Sequence, residues 1–179
     1  MSTRLFAAIP VPEHVVEQIV RLQCGVPAAA WRPRENLHLT LRFFGSVAPN
    51  LIDDLDRELA AIKVSPFKMK LQGAGWFGRA EPRALWVGAK ADDALFRLQK
   101  KCETAARGLS LRAETRKFLP HVTLAYLAGT SRQSALSFEL QNADFASCEF
   151  DVTRFKLCSS WISRGDANIY VDEAVYTLG

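Results

Sequence analysis

The chain of 179 residues lacks the signatures of most metal, redox and membrane proteins. Its four cysteines, Cys24, Cys102, Cys148 and Cys158, form no CxxC pair and no metal-ligand spacing, and a chain of this length needs no disulfide staples. They read as reduced thiols in a cytosolic protein. Zinc usually takes three or four protein ligands, and there is no HExxH segment and no Cys cluster, so neither a metal nor another cofactor is expected. The early apolar run, Leu5 to Ile9 before Pro10, is too short for a signal-peptide core or a bilayer span, and no other run approaches membrane length. A cytoplasmic protein with no membrane partner is the expectation. No linker rich in Pro, Ser and Gly divides the chain, and no low-complexity tract appears. With 49% hydrophobic residues there is ample material for a core, and disorder is not indicated. Charge of one sign is only slightly in excess, at +4, which favours an anionic ligand over extended duplex binding.

Histidine is scarce as well: there are three. Two of them sit in near-copies of one tetrapeptide, His38-Leu39-Thr40-Leu41 and His121-Val122-Thr123-Leu124. Side chains of a strand alternate with period two, so in each copy the His and the Thr share a face and the apolar pair lines the other. Two such strands side by side give a cleft with two proton-transfer groups and two hydroxyl donors, which suits in-line displacement at phosphorus. An imidazole with a pKa of about 6.5 serves as base or acid near neutrality, and each positioned proton transfer is worth about 10²- to 10⁴-fold. Thr40 and Thr123 can hold non-bridging oxygens as charge builds there. His14, in a helical first turn, is read as a partly exposed surface residue.

Cationic loops lead into both motif strands: Arg32 and Arg34 before His38, Arg116 and Lys117 before His121. Arg42 continues the His38 and Thr40 face by strict alternation. All are candidate phosphate ligands, since guanidinium and ammonium groups attract and hold a phosphoryl group. Trp31, Trp76, Phe77 and Trp161 lie in or near loops where an aromatic face can stack on a nucleobase, whereas Trp86, in an apolar strand, is assigned to the core. No cysteine lies in or beside either motif, so thiol nucleophile chemistry is unsupported.

The pattern predicts an α+β fold. Strands are expected at Arg4 to Val11, Leu37 to Phe44, Phe67 to Leu71, Ala84 to Ala89, His121 to Leu127, Cys148 to Ser159 and Ile169 to Leu178. Helices are expected from Glu13 with Val16, Ile19, Val20 and Val26 on one face, from Pro49 with Leu51, Leu55 and Leu59, from Asp92 to Arg107, and from Ser131 to about Leu140. Gly73 to Gly78 reads as a loop or bulge. Basic loop, HxTx strand, helix and strand recur in both halves, and the motif histidines lie about half a chain apart. A duplicated α+β lobe gives this order.

The stretch Trp31-Arg32-Pro33-Arg34-Glu35-Asn36-Leu37-His38-Leu39-Thr40-Leu41-Arg42-Phe43-Phe44-Gly45 resembles the first signature of the two-histidine phosphoesterase superfamily, and within it that of the RNA 2',3'-cyclic phosphodiesterases, long called 2'-5' RNA ligases. Phe118-Leu119-Pro120-His121-Val122-Thr123-Leu124-Ala125 is similar to the second signature. The Leu85-Trp86-Val87-Gly88 strand and the run from Phe155 through Ser160 to Tyr170 also resemble their family counterparts. The resemblance implies one bilobal domain over residues 1–179, two pseudo-two-fold lobes of antiparallel sheet with outer helices, and a central cleft carrying both motifs. It implies metal-independent opening of a terminal 2',3'-cyclic phosphate to a 2'-phosphate, with His38 as proton donor to the 3' oxygen and His121 as acceptor of the proton from water. RNA 3' ends or nucleotides bearing that cyclic phosphate are the implied partners, and a monomer is expected. The family usually carries Arg where this chain has Tyr126; Arg42, Arg116 and Lys117 are candidates to supply the missing charge. Small cyclic nucleotide phosphates, 2'-5' linked oligonucleotides, or a module that grips RNA ends without turnover remain alternatives.

Overall fold

A computed structural model describes residues 3–90, 92–161 and 168–179. Along the chain run β1 (Thr3–Pro10), α1 (Glu13–Ile19), β2 (Ala29–Trp31), β3 (His38–Val47), α2 (Pro49–Ala60), β4 (Phe67–Met69), β5 (Leu71–Gly78), β6 (Pro82–Ala89), α3 (Asp93–Gly108), β7 (His121–Leu127), α4 (Arg132–Gln141), β8 (Phe150–Val152), β9 (Arg154–Trp161) and β10 (Ile169–Thr177). The main sheet has the order β10-β9-β1-β3-β7-β6-β5, antiparallel throughout, with β2 also paired to β7. β4 and β8 form a separate two-stranded ribbon. The α+β expectation holds, and the two motif strands are neighbours at the middle of the sheet.

The helices start where local chemistry dictates. Pro49 opens α2 at a position where its missing N–H is no loss. Asp92 caps α3 by accepting from the Ala94 amide at 2.7 Å, and Ser131 caps α4 by accepting from the Ser134 amide at 3.1 Å. α3 buries Leu95, Leu98, Cys102 and Ala106 at helical spacing, and α2 buries Leu55 and Leu59. α2 and α3 pack behind the β3 half of the sheet, and α4 behind β5 and β6. One hydrophobic cluster runs behind both halves and takes in Leu39 and Leu41 of β3 with Val122 and Leu124 of β7.

Several elements depart from the sequence reading. α1 ends at Ile19 and passes through a tight turn, Val20–Leu22, so Val26 is buried outside the helix. Of the loop or bulge expected over the glycine-rich stretch, the bulge is found: it lies beside Gly73, whose φ of 67° suits glycine, within strand β5. Gly75 has a steric reason: a Cβ there would lie 2.4 Å from the Trp86 ring. The strand expected over Cys148 to Ser159 is two, β8 in the ribbon and β9 in the main sheet. Within the family-like run from Phe155 to Tyr170, residues 162–167 lie outside the described residues.

β3 and β7 carry the same device. Over His38 to Phe44 and His121 to Leu127 the pattern of buried and accessible residues is identical position by position. In both, the register slips just after the Thr: Ala8 pairs with Thr40 but Ala7 with Arg42, and Trp86 pairs with Thr123 but Leu85 with Ala125. Each slip adds one residue, Leu41 or Leu124, and reverses the alternation beyond it.

Candidate active site

β3 and β7 meet at a single residue pair, Leu39 opposite Val122. Both are fully buried on the helix side. Period-two alternation therefore sets His38, Thr40, His121 and Thr123 on the opposite face, astride the junction of the two halves. These four come together as the motif pattern requires.

Each imidazole sits in an aromatic cradle. Phe6 of β1 stacks on His38 with centroids 5.0 Å apart, and Tyr170 of β10 meets its edge at 5.3 Å. Phe77 of β5 meets His121 edge-on at 4.8 Å, with Trp86 of β6 at 6.4 Å. These rings fix the orientation of the imidazoles and cover part of their surface. The His121 Nδ1–H donates to the Leu119 carbonyl at 2.6 Å. Because a carbonyl can only accept, this bond holds the proton on Nδ1 and leaves Nε2 of the neutral ring as a bare base. His38 Nε2 is 3.1 Å from Thr40 Oγ1.

Burial lowers both histidine pKa values. For His38 it pushes the value down to about 4; the Asn36 backbone opposes this, Arg32 and His121 lower it further, and Asp172 raises it. His121 is lowered by burial, against the support of the Leu119 carbonyl. Both rings are therefore neutral in the free site at neutral pH. An anion between them favours the charged form and returns a proton to the pair.

The other expected ligands scatter. Arg42 does not continue the His38 face: the bulge turns it to the helix side, where it is 5% exposed. There it pairs with Glu103 of α3 and donates to the Phe43 and Arg112 carbonyls. Arg34 is engaged by Glu13 at the start of α1. Arg116 forks onto Glu114 in its own loop, at 2.9 and 2.7 Å, and Lys117 is exposed on that loop. Trp31 packs behind the sheet against Phe138 of α4, and Trp76 lies under Arg132. Trp161 is exposed, its Nε1 donating to Ser159 Oγ at 2.8 Å. His14 is exposed, as expected.

Tyr126 and Phe43 occupy matching positions past the two bulges, and both are about half exposed on the cleft side, 48% and 51%. Trp86 corrects the sequence reading, since it lies beside His121 instead of in the core. Phe6 carries no sequence signal, and Tyr170 stands in the sequence only as the last residue of a family-like run, not as a site residue. Pairing of β1 with β3 and β9, and of β9 with β10, delivers both to the site. Arg32 was visible only as one loop cation among several. It is 6% exposed, with its guanidinium 5.3 Å from the Tyr126 ring centroid and 5.5 Å from that of Tyr170. Among the described residues no three His, Cys, Asp or Glu side chains gather as a metal site, and no helix is long and apolar enough to cross a membrane.

The fold and the site define a mixed α+β protein, mostly antiparallel sheet, of the two-histidine kind. The model of the 2'-5' RNA ligase superfamily matches residues 11–160, and the chain belongs to that superfamily. It is 32% identical over 171 residues to a protein of Thermotoga maritima named RNA 2',3'-cyclic phosphodiesterase, covering 89% of this chain and 88% of that one. A protein of the same name from Geobacillus stearothermophilus is 34% identical over 127 residues, which span 67% of this chain and 40% of that longer one. Among solved structures, LigT of Escherichia coli in complex with 3'-AMP superposes with a TM-score of 0.81 at 28% identity, covering 99% of each chain.

Proposed function

We propose that the protein is an RNA 2',3'-cyclic phosphodiesterase that opens a terminal cyclic phosphate to a 2'-phosphate by paired histidine acid-base catalysis without a metal. The observation that carries this reading is the joint placement of both HxTx motifs on one face, with the His121 proton held on Nδ1. The relatives named for this activity support the substrate class.

In this reading water attacks phosphorus in line with the P–O3' bond. Nε2 of His121 takes the proton of that water as the new P–O bond forms. His38 delivers its proton to the departing 3' oxygen as the P–O3' bond breaks, and the phosphoryl group stays on the 2' oxygen. Thr40 and Thr123 hydroxyls donate to the non-bridging oxygens, where charge accumulates in the transition state. His38 takes its proton from solvent as the substrate binds, because the cyclic phosphodiester anion offsets the burial that keeps the free ring neutral.

The test is incubation of the protein with a short RNA ending in 2',3'-cyclic phosphate, with and without EDTA, followed by identification of the hydroxyl that keeps the phosphoryl group. A 2'-phosphate product at equal rates in both conditions is expected. A 3'-phosphate product, or activity abolished by EDTA and restored by zinc, refutes the mechanism. Tight binding with no turnover under single-turnover conditions would favour an RNA-end binding module instead.

A further inference from the structure

Arg32 is, among the described residues, a buried cation without a carboxylate. Among the described residues no acidic side chain forms an ion pair with it, and its Nη2 is buried with no hydrogen-bond partner. Buried guanidinium groups are ordinarily paired, because an unpaired one forfeits its hydration without return. Arg42 shows the ordinary solution in the same protein, closed off by Glu103 and two carbonyls.

The backbone at Arg32 is pinned so that the side chain has one direction to take. Its amide donates to the Leu124 carbonyl at 2.8 Å, and its carbonyl accepts from Gln23 Nε2 at 2.8 Å. It thereby extends β2 along β7 by one residue, and alternation sends Trp31 behind the sheet and Arg32 to the cleft side. There Tyr126 from β7 and Tyr170 from β10, strands of opposite halves of the sheet, offer ring faces to the guanidinium. Tyr170 also touches the edge of His38, so Arg32 and the His38 imidazole share one aromatic wall. Ring faces hold a guanidinium in place and leave its N–H groups free, whereas a carboxylate would consume them.

We propose that Arg32 is the phosphate-binding arginine of this site, its Nη2 donating to a non-bridging oxygen of the substrate phosphoryl group while Tyr126 and Tyr170 hold the guanidinium plane. This rests on the phosphoesterase reading for the identity of the ligand and extends it to a residue of this chain outside both motifs. The influence of Arg32 on His38 agrees with the placement: a cation near the ring disfavours a second positive charge until an anion arrives.

Two short RNAs of one sequence, ending in a 2'-phosphate or in two hydroxyls, separate this role from simple packing. The wild-type protein is expected to prefer the phosphorylated strand. Arg32→Gln loses about ten- to a hundredfold of affinity for that strand, the range for a charge-assisted hydrogen bond, with unchanged affinity for the other. On the cyclic-phosphate RNA the same variant raises KM. In the unaltered protein, guanidinium NMR signals of Arg32 shift with the phosphorylated strand and not with the hydroxyl strand, a readout that needs no variant to fold. Silent Arg32 signals, or a folded Arg32→Gln that keeps wild-type preference, overturn the proposal. If the wild-type protein fails to open the cyclic phosphate, the functional reading falls, while the binding comparison still decides the role of Arg32.

Discussion

At the residue scale the proposed chemistry rests on the two imidazoles, and their environments make it testable. Replacing either His38 or His121 by Ala is expected to lower kcat by about 10²- to 10⁴-fold each, with RNA binding retained, as single-turnover kinetics would register. The pH dependence of stability has a defined sign. His38 has its folded value pushed down to about 4, below the unfolded value of about 6.5. Its contribution is therefore fully present above the unfolded value and is lost as pH falls through the interval toward about 4, where the unfolded chain binds the proton and the folded one does not. Urea titrations at pH 7 and pH 4.5 are expected to show lower stability at the acid end, with a smaller decline in His38→Gln. The four motif side chains were legible beforehand because period-two alternation needs only local sequence. The tautomer of His121 was not, because it depends on where the Leu119 carbonyl points.

At the element scale the matching bulges in β3 and β7 decide which neighbours the motifs acquire. One extra residue after each Thr carries Arg42 and Ala125 to the core side and Phe43 and Tyr126 to the cleft side. Unbroken alternation predicts the reverse for Arg42, and it failed there because nothing in Thr40-Leu41-Arg42 distinguishes a bulged strand from a regular one. The consequence is measurable. Arg42→Ala leaves Glu103 of α3 with Arg107 and the Glu114 amide, and takes from the Phe43 and Arg112 carbonyls the donor that Arg42 supplies. It is expected to cost about 3 kcal/mol in urea denaturation while KM for the cyclic-phosphate RNA stays unchanged. Strand β5 makes a second case. Gly75→Ala sets a methyl group against the Trp86 ring, and the ring cannot yield without disturbing its approach to His121. Stability and kcat are expected to fall together there, by urea titration and steady-state kinetics on the same preparation.

At the scale of the whole molecule the site exists only because two sheet halves join at Leu39 and Val122. Leu39→Ala and Leu95→Ala delete side chains of equal size, both fully buried. Each is expected to cost about 2–5 kcal/mol. Only Leu39→Ala loosens the junction that sets one histidine against the other, so it alone is expected to lower kcat beyond its effect on the folded fraction, measured well below the unfolding temperature. The linear order of residues by itself determined the α+β class, both motif strands, the residues His38, Thr40, His121 and Thr123, and the family, because each is written in local periodicity or in contiguous signatures. Tertiary structure alone decided that Arg42 is a structural ion-pair residue, that Phe6, Tyr170, Phe77 and Trp86 enclose the imidazoles, and that Arg32 is a buried cation without a carboxylate among the described residues. Those outcomes turn on strand pairing, register slips and burial, which bring together residues far apart in the chain and leave no trace in any short stretch of it.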